Sequence, residues 1–438
     1  MDSTVSIQNK KEKYLADFTK NAADFSHSSS FLQSQRNIAL EAFSNMDFPN
    51  LRDENWKYTN VSPALKSHFH LTKENELNEL NVRRISDEEA ITLVFVNGNF
   101  NKKLSVNPVQ GLLIKNLSDA LVENPEIIEK YFGTQCDLKA DIFPSMNTLF
   151  FKDGAFVYMP EGVVLEKPIQ LIYISGPEAS QTVSYPRNLF IANKNSSFKV
   201  FESYQSVTSD AEVFINSQTE IVVDENAQVE YYKLQLDSNK TCHIDTVQAL
   251  QHQNSKLSVY TICLGGSLVR NKLGIRLEGT SCETHMKGLT ILKDSQHVDN
   301  HTFIDHAMPH CYSNELYKNI IDDKAHSVFS GKIMVRKDAQ KTNAFQSCKN
   351  ILLSPNAVAD AMPQLEIFAD DVKCSHGATT GRLNEESMFY LQARGIGKEK
   401  AKGLLIHAFA GEVIESVSIP AVKSILENLL AEKLGTEL

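Results

Sequence analysis

Asn195-Ser196-Ser197-Phe198-Lys199-Val200 is echoed by Asn226-Ala227-Gln228-Val229-Glu230-Tyr231 and again by Asn254-Ser255-Lys256-Leu257-Ser258-Val259. Each copy is a turn asparagine, a small residue, a polar residue and then an apolar alternation; the starts lie 31 and 28 residues apart. Asp338-Ala339-Gln340 is a weaker, more distant echo. Alternation with period two marks a strand with one buried face. A repeat of about 30 residues, strand-rich and without intervening helices, predicts the stacked rungs of a β-solenoid. In such a fold each rung buries its apolar positions against the next, and Asn and Gly fill the corners. A large β-sandwich also yields many short strands, so the repeat alone leaves that architecture open.

On the N-terminal side, Ile91-Thr92-Leu93-Val94-Phe95-Val96 is β-branched and runs into the turn Asn97-Gly98-Asn99. Leu149-Phe150-Phe151, Ala155-Phe156-Val157-Tyr158 and the stretch Ile169 to Ile174 also read as strands. One helical excursion interrupts from Asn116 to Phe132, with Asn124 as a cap, Pro125 at a first helical position and Gly133 closing it. Residues 1–90 read as helical, with candidate helices from Lys11 to Phe25 and from Phe31 to Phe43. Within Arg52 to Thr59, the only tryptophan, Trp56, and Tyr58 are expected to anchor this layer on its neighbour.

Beyond Arg382 the rhythm becomes helical. Asn384 can cap a helix whose first turn carries Glu385 and Glu386, favourable against the positive end of the helix dipole. Gly395-Ile396-Gly397 breaks it. Ala401, Leu404, Leu405, Ala408, Phe409 and Val413 then have the spacing of one buried face, and Pro420 opens a last helix with Val422, Ile425, Leu426, Leu429 and Leu430. The expected division is an N-terminal helical domain over 1–90, a β core over 91–383, and a C-terminal helical domain over 384–438. The last is too small to stand without docking on the β part.

A chain of 438 residues exceeds one ordinary core, which fits several domains or one elongated one. Hydrophobic content of 42% and charged content of 22% are those of a soluble globular protein. No apolar run approaches the ~18 residues of a membrane span, and the polar start MDSTVSIQNKKEK lacks a signal-peptide core. A net charge of −10 argues against general nucleic-acid binding. The seven cysteines are odd in number, scattered and without CxxC spacing, and read as reduced cytosolic thiols rather than a disulfide framework. A cytoplasmic protein is expected.

The stretch Asp371-Val372-Lys373-Cys374-Ser375-His376-Gly377 carries the densest chemistry. On a strand, Cys374 and His376 project from the same face. A soft sulfur beside a borderline nitrogen suits iron or zinc. Such a centre needs about four donors, or three with an open position, so the others must come from elsewhere in the fold or from another chain. The bland alternative is packing, since cysteine is among the most buried residue types.

A second set, His297, His301, His306 and His310, lies among Asp299, Asn300 and Asp305. His297 and His301 share a strand face, His306 takes the other, and the polar surroundings predict solvated histidines rather than a metal site. Asp322-Asp323 and Asp370-Asp371 read as turn residues. No GxxxxGK[ST] phosphate loop and no GxSxG elbow occurs, and Gly395-Ile396-Gly397 lacks the third glycine of a dinucleotide fingerprint. No nucleotide is expected on this chain.

Several stretches together resemble one family. Leu149-Phe150-Phe151-Lys152-Asp153-Gly154-Ala155 and Pro160-Glu161-Gly162-Val163-Val164-Leu165-Glu166-Lys167-Pro168-Ile169 are similar to the start of its β-helix. Asp322-Asp323-Lys324-Ala325-His326-Ser327-Val328-Phe329-Ser330-Gly331-Lys332-Ile333, Gln346-Ser347-Cys348-Lys349-Asn350-Ile351-Leu352-Leu353-Ser354 and Pro363-Gln364-Leu365-Glu366-Ile367 resemble its late rungs, followed by the Asp371 to Gly377 stretch. These match the SufB/SufD family of iron–sulfur cluster assembly proteins, and the N-terminus with Arg52 to Thr59 looks like its SufD branch.

The resemblance implies a mainly β chain, a right-handed parallel β-helix flanked by N- and C-terminal helical domains. It implies a non-catalytic scaffold that pairs end to end with SufB and docks the ABC-type ATPase SufC through the C-terminal helical region. In that complex ATP hydrolysis would shift the SufB–SufD interface and expose buried ligands, so that a nascent iron–sulfur cluster is built and passed on, with support for iron acquisition. His376 stands where the family places a histidine acting with a SufB cysteine, as a neutral imidazole ligand to iron. Cys374 is carried as an auxiliary ligand only. Two other readings remain: a homodimeric protein holding a metal or cluster at its own two-fold interface, and a β-helix carbohydrate-active enzyme. The absent signal peptide counts against the second.

Overall fold

A computed structural model describes residues 2–20, 29–66, 69–71, 77, 79, 81–106, 109, 111–176, 181–208 and 212–434, with the side chains of 2–10 and 434 left aside. The core is a two-sheeted parallel solenoid. In the first sheet, Ala155–Met159, Arg187–Ala192, Val213–Val223, Cys242–Gln251, Leu268–Leu277, His297–His306, His326–Val335 and Val358–Ile367 lie side by side in chain order. In the second, Ile91–Val96, Ile169–Ser175, Ser197–Ser206, Gln228–Leu236, Lys256–Cys263, Glu283–Leu292, Tyr312–Ile321, Asn343–Leu352 and Lys373–Gly381 do the same. The chain alternates between the sheets, so neighbours in each are one rung apart and parallel.

The repeated asparagines make the corners. Ser197 pairs with Gln228 and Gln228 with Lys256, the spacing read from the repeat. Asn195, Asn226 and Asn254 have φ of 57°, 58° and 56°, the left-handed region that Asn tolerates better than most side chains. Their amides form a ladder, with Asn226 Nδ2 donating to Asn195 Oδ1 (3.0 Å) and Asn254 Nδ2 to Asn226 Oδ1 (3.1 Å). Later rungs use Ser281, His310 and Lys341 at this corner, all with positive φ. The Asp338 echo is therefore out of register, because the residue in the Asn role there is Lys341. What the corner demands is the backbone conformation, which other residues can supply at some cost.

Two layers flank the solenoid. Helices Asp2–Lys20 and Ser30–Asn45 pack with helix Ile142–Phe150 against the outer face of the first sheet. Residues 21–25 of the expected Lys11 to Phe25 helix lie outside the described residues. Residues 46–90 are not a helical layer as expected: their described part holds short 3₁₀ turns at Glu54–Trp56 and Ser62–Ala64, the strand His70–Leu71 and irregular backbone. Leu149 and Phe150, expected in a strand, close the helix Ile142–Phe150, which Asp141 caps through Phe143 N (3.1 Å). Every residue of that helix is buried, the polar Ser145, Asn147 and Thr148 included. The excursion near 116–132 is two helices, Leu117–Glu123 and Pro125–Tyr131, parted at Asn124.

On the second sheet sit Lys398–Ile414 and Pro420–Leu434, burying Ile406, Ala410, Val413, Leu426 and Leu430 against Tyr232, Tyr260, Leu289 and Ile320. This is the expected docking, but Ala408 is exposed and Leu404, Leu405 and Phe409 are half-buried; the packed face of the first helix runs through Ala401, Gly403, Ile406 and Ala410. Among the described residues no helix is long and apolar enough to cross a membrane.

Candidate functional site

Lys373–Gly381 is the last strand of the second sheet. The corner that launches it is pinned to the rung below: Lys341 N donates to Asp371 O (2.7 Å), the Lys341 ammonium pairs with the Asp371 carboxylate, and Asp371 N donates to Gln340 Oε1 (3.0 Å). Register sets Cys374 over Ala344 and His376 over Gln346. Ala344 and Gln346 are buried, so Cys374 and His376 share the side that faces the solenoid interior, as their spacing on a strand predicts. In every earlier rung the next rung covers such residues. None follows here. Cys374 is half-buried beside Ile333, Val335 and Leu365, and His376 is exposed at the open end.

Burial pushes the Cys374 thiol up, so it gives up its proton only to a metal or a base. Under His376, Gln346 Nε2 donates to Glu315 Oε2 (2.6 Å), and burial raises the Glu315 carboxyl to about 7. Among the described residues no group of three or more His, Cys, Asp or Glu side chains could hold a metal ion. A thiol and an imidazole are fewer side chains than the about four donors of an iron–sulfur or zinc centre.

The other histidines are placed differently from the expectation. His306 is buried inside the solenoid, with Nε2 2.9 Å from Ser313 Oγ. His297 and His301 are half-buried on the outer face, under the N-terminal segment. Thr59 Oγ1 lies 2.9 Å from His297 Nε2 and also donates to Asp299 (2.6 Å), and Arg270 stacks on Trp56 at 3.9 Å while donating to Asn55 O (2.8 Å). Only His310 is exposed. Burial depresses His297, His301 and His306 to about 4 each. His297 and His301 are the neutral seat of the Trp56 segment, whose anchoring role is as expected.

One constellation carried no sequence signal. Ser217 Oγ lies 2.8 Å from His243 Nε2, and His243 Nδ1 lies 3.1 Å from Asp237 Oδ2, the order of a nucleophilic triad. All three are buried inside the solenoid, and the Ser217 hydroxyl donates to Asp245 (2.6 Å). Its proton is engaged elsewhere and no substrate reaches it; the cluster satisfies buried polar groups.

The chain matches two family models in succession, the SufBD protein N-terminal region over residues 8–171 and the SUF system FeS cluster assembly SufBD core domain over 173–409. It is 32% identical over 413 residues to an iron–sulfur cluster assembly SufBD family protein of Synechocystis, covering 92% of this chain and 91% of that protein. It is 28% identical over 379 residues to the iron–sulfur cluster assembly protein SufD of Escherichia coli, covering 86% of each. With SufD of Bacillus subtilis the identity is 26% over 437 residues, 96% of this chain and 97% of that one. The core match contains Cys374 and His376 and most of the solenoid. This chain belongs to the SufBD family and has a role in SUF iron–sulfur cluster assembly.

Proposed function

We propose that this chain is a non-catalytic, cytoplasmic scaffold subunit that shares a nascent iron–sulfur cluster, its cargo, with a SufB partner docked on the open end of the solenoid. One observation carries the reading: a thiol and an imidazole stand on the interior-facing side of a terminal rung that, among the described residues, no further rung covers. His376 offers a neutral imidazole nitrogen to iron, Cys374 an auxiliary thiolate, and the partner the remaining donors. Strands Val358–Ile367 and Lys373–Gly381 are both edges, whose unpaired backbone groups invite strand addition. Val358, Ile367 and Phe368 are exposed beside them. The SufC ATPase docks on the C-terminal helices, where Phe389 and Tyr390 lie 73% and 55% exposed on a helix with no buried residue. Because the bare end is open to a second copy as well, the isolated chain could pair with itself.

The test is anaerobic co-expression with SufB and SufC, followed by iron and acid-labile sulfide per complex for wild type and His376→Ala. The expected result is an unchanged subunit composition with the cluster lost. Unchanged cluster content in an unchanged complex overturns the assignment of His376.

A further inference from the structure

The corner joining the first sheet to the second buries one small side chain per rung, directly after the left-handed corner residue. Successive occupants are Ala227, Ser255, Cys282, Cys311 and Thr342, all buried. Two consecutive rungs thus place thiols where the others carry a methyl or a hydroxyl. Glu283 pairs with Tyr312, and Tyr312 N donates to Cys282 O (2.8 Å), so Cys311 lies one rung directly beyond Cys282. One rung is about 4.8 Å, inside the Cα separation a disulfide spans. Both sulfurs also converge on one acceptor, Gly279 O, at 3.2 Å from Cys282 and 3.3 Å from Cys311.

The two thiols are not equivalent. Their mutual contact lowers the Cys282 thiol and raises that of Cys311. Cys282 is the sulfur that ionises first, and Cys311 is the one that follows. Ser281 and His310, immediately before each cysteine, are exposed. The pair therefore lies one residue beneath the surface, Cys311 two rungs and Cys282 three rungs before the terminal strand.

We propose that Cys282 and Cys311 are a modification site, a dithiol that a peroxide converts to a reversible disulfide stapling two rungs together. The Cys282 thiolate attacks one peroxide oxygen; the O–O bond breaks, Cys282 becomes a sulfenic acid, and the leaving oxygen departs as water. Cys311 then attacks the sulfenyl sulfur, giving up its proton. The S–S bond forms, the S–O bond breaks, and a second water leaves. Two thiols lose two electrons, and one peroxide gains them.

The full-length chain is treated with hydrogen peroxide, unfolded in alkylating reagent and mapped by peptide mass. The expected product joins the Cys282 and Cys311 peptides, lighter by two hydrogens than the separate thiols, and dithiothreitol reverses it. Its Tm rises, whereas Cys282→Ser and Cys311→Ser form no link and show no rise. Ser255 occupies the same corner position, so serine is tolerated there. Cys282→Ala serves as a second variant, since Ala227 fills that position in another rung. Both thiols staying alkylatable at a dose that oxidises Cys374 would overturn the proposal. So would conversion of Cys282 to a sulfinic acid without the link.

Discussion

Glu315 stands two rungs below the open end, in the interior column that continues through Gln346 to His376. Burial lifts its carboxyl from the ordinary 4.5 to about 7, against the opposing pull of the hydrogen bond from Gln346. Between those values the native chain holds a proton that the unfolded chain has lost. The stabilisation is thus complete below about 4.5 and is lost as pH rises through about 7. Its ceiling is ~3 kcal/mol. Glu315→Gln removes the ionisation, so its Tm should exceed wild type at pH 8 and match it near pH 5. A difference that does not change with pH would contradict this. The shared face of Cys374 and His376 was legible, because residues at i and i+2 project alike on any strand. Nothing local marks Glu315, since its environment is built by Thr302 and Gln346 from neighbouring rungs.

Helix Glu385–Ala393 shows how far a single element can be read. Its start was legible, and Asn384 caps it through Ser387 N (2.7 Å). Its burial was not, for no residue in it is buried, and Phe389 and Tyr390 face outward. Exposed aromatic pairs of this kind mark partner surfaces. Phe389→Ala combined with Tyr390→Ala should leave Tm nearly unchanged, because exposed truncations cost little. It should lower recovery of SufC from co-expressed complex by about tenfold or more. A large fall in Tm, or undiminished SufC, would move the docking site elsewhere. Helix Ile142–Phe150 fails in the opposite way. Fully enclosed between the N-terminal helices and the first sheet, it buries Ser145, Asn147 and Thr148 with its apolar residues, and its apolar end at Leu149-Phe150 reads as a strand.

The whole molecule is asymmetric along the solenoid axis. At one end the antiparallel turn-back of Ile91–Val96 on Asn99–Phe100 closes the second sheet. At the other, Val358–Ile367 and Lys373–Gly381 end the stack with interior-facing side chains uncovered. Lys373 N bonds back to Thr342 O, and alternation then turns the backbone of Cys374, His376, Ala378 and Thr380 toward the open side. A charge pointing inward on such an edge blocks strand addition. Ala378→Lys, at an exposed position, should leave the isolated chain folded with little change in Tm and reduce recovered SufB by about tenfold or more. Undiminished pairing would show that SufB meets another surface.

At this scale the sequence by itself determined the repeat and its corners, and the stacking of the rungs decided for a solenoid over a sandwich. A repeat of about 30 residues with left-handed corners recurs in the chain because each rung meets the same steric demand, and a demand repeated locally leaves a local trace. That Cys374 and His376 share a face was likewise set by spacing. Only the tertiary structure decided that this pair sits on an uncovered rung, that the Trp56 segment covers His297 and His301, and that Cys282 and Cys311, 29 positions apart, occupy one corner of successive rungs. Those facts depend on which surface lies against which. Burial, proton affinity and exposure are properties of neighbours brought from far along the chain, and they exist only once the rungs have stacked.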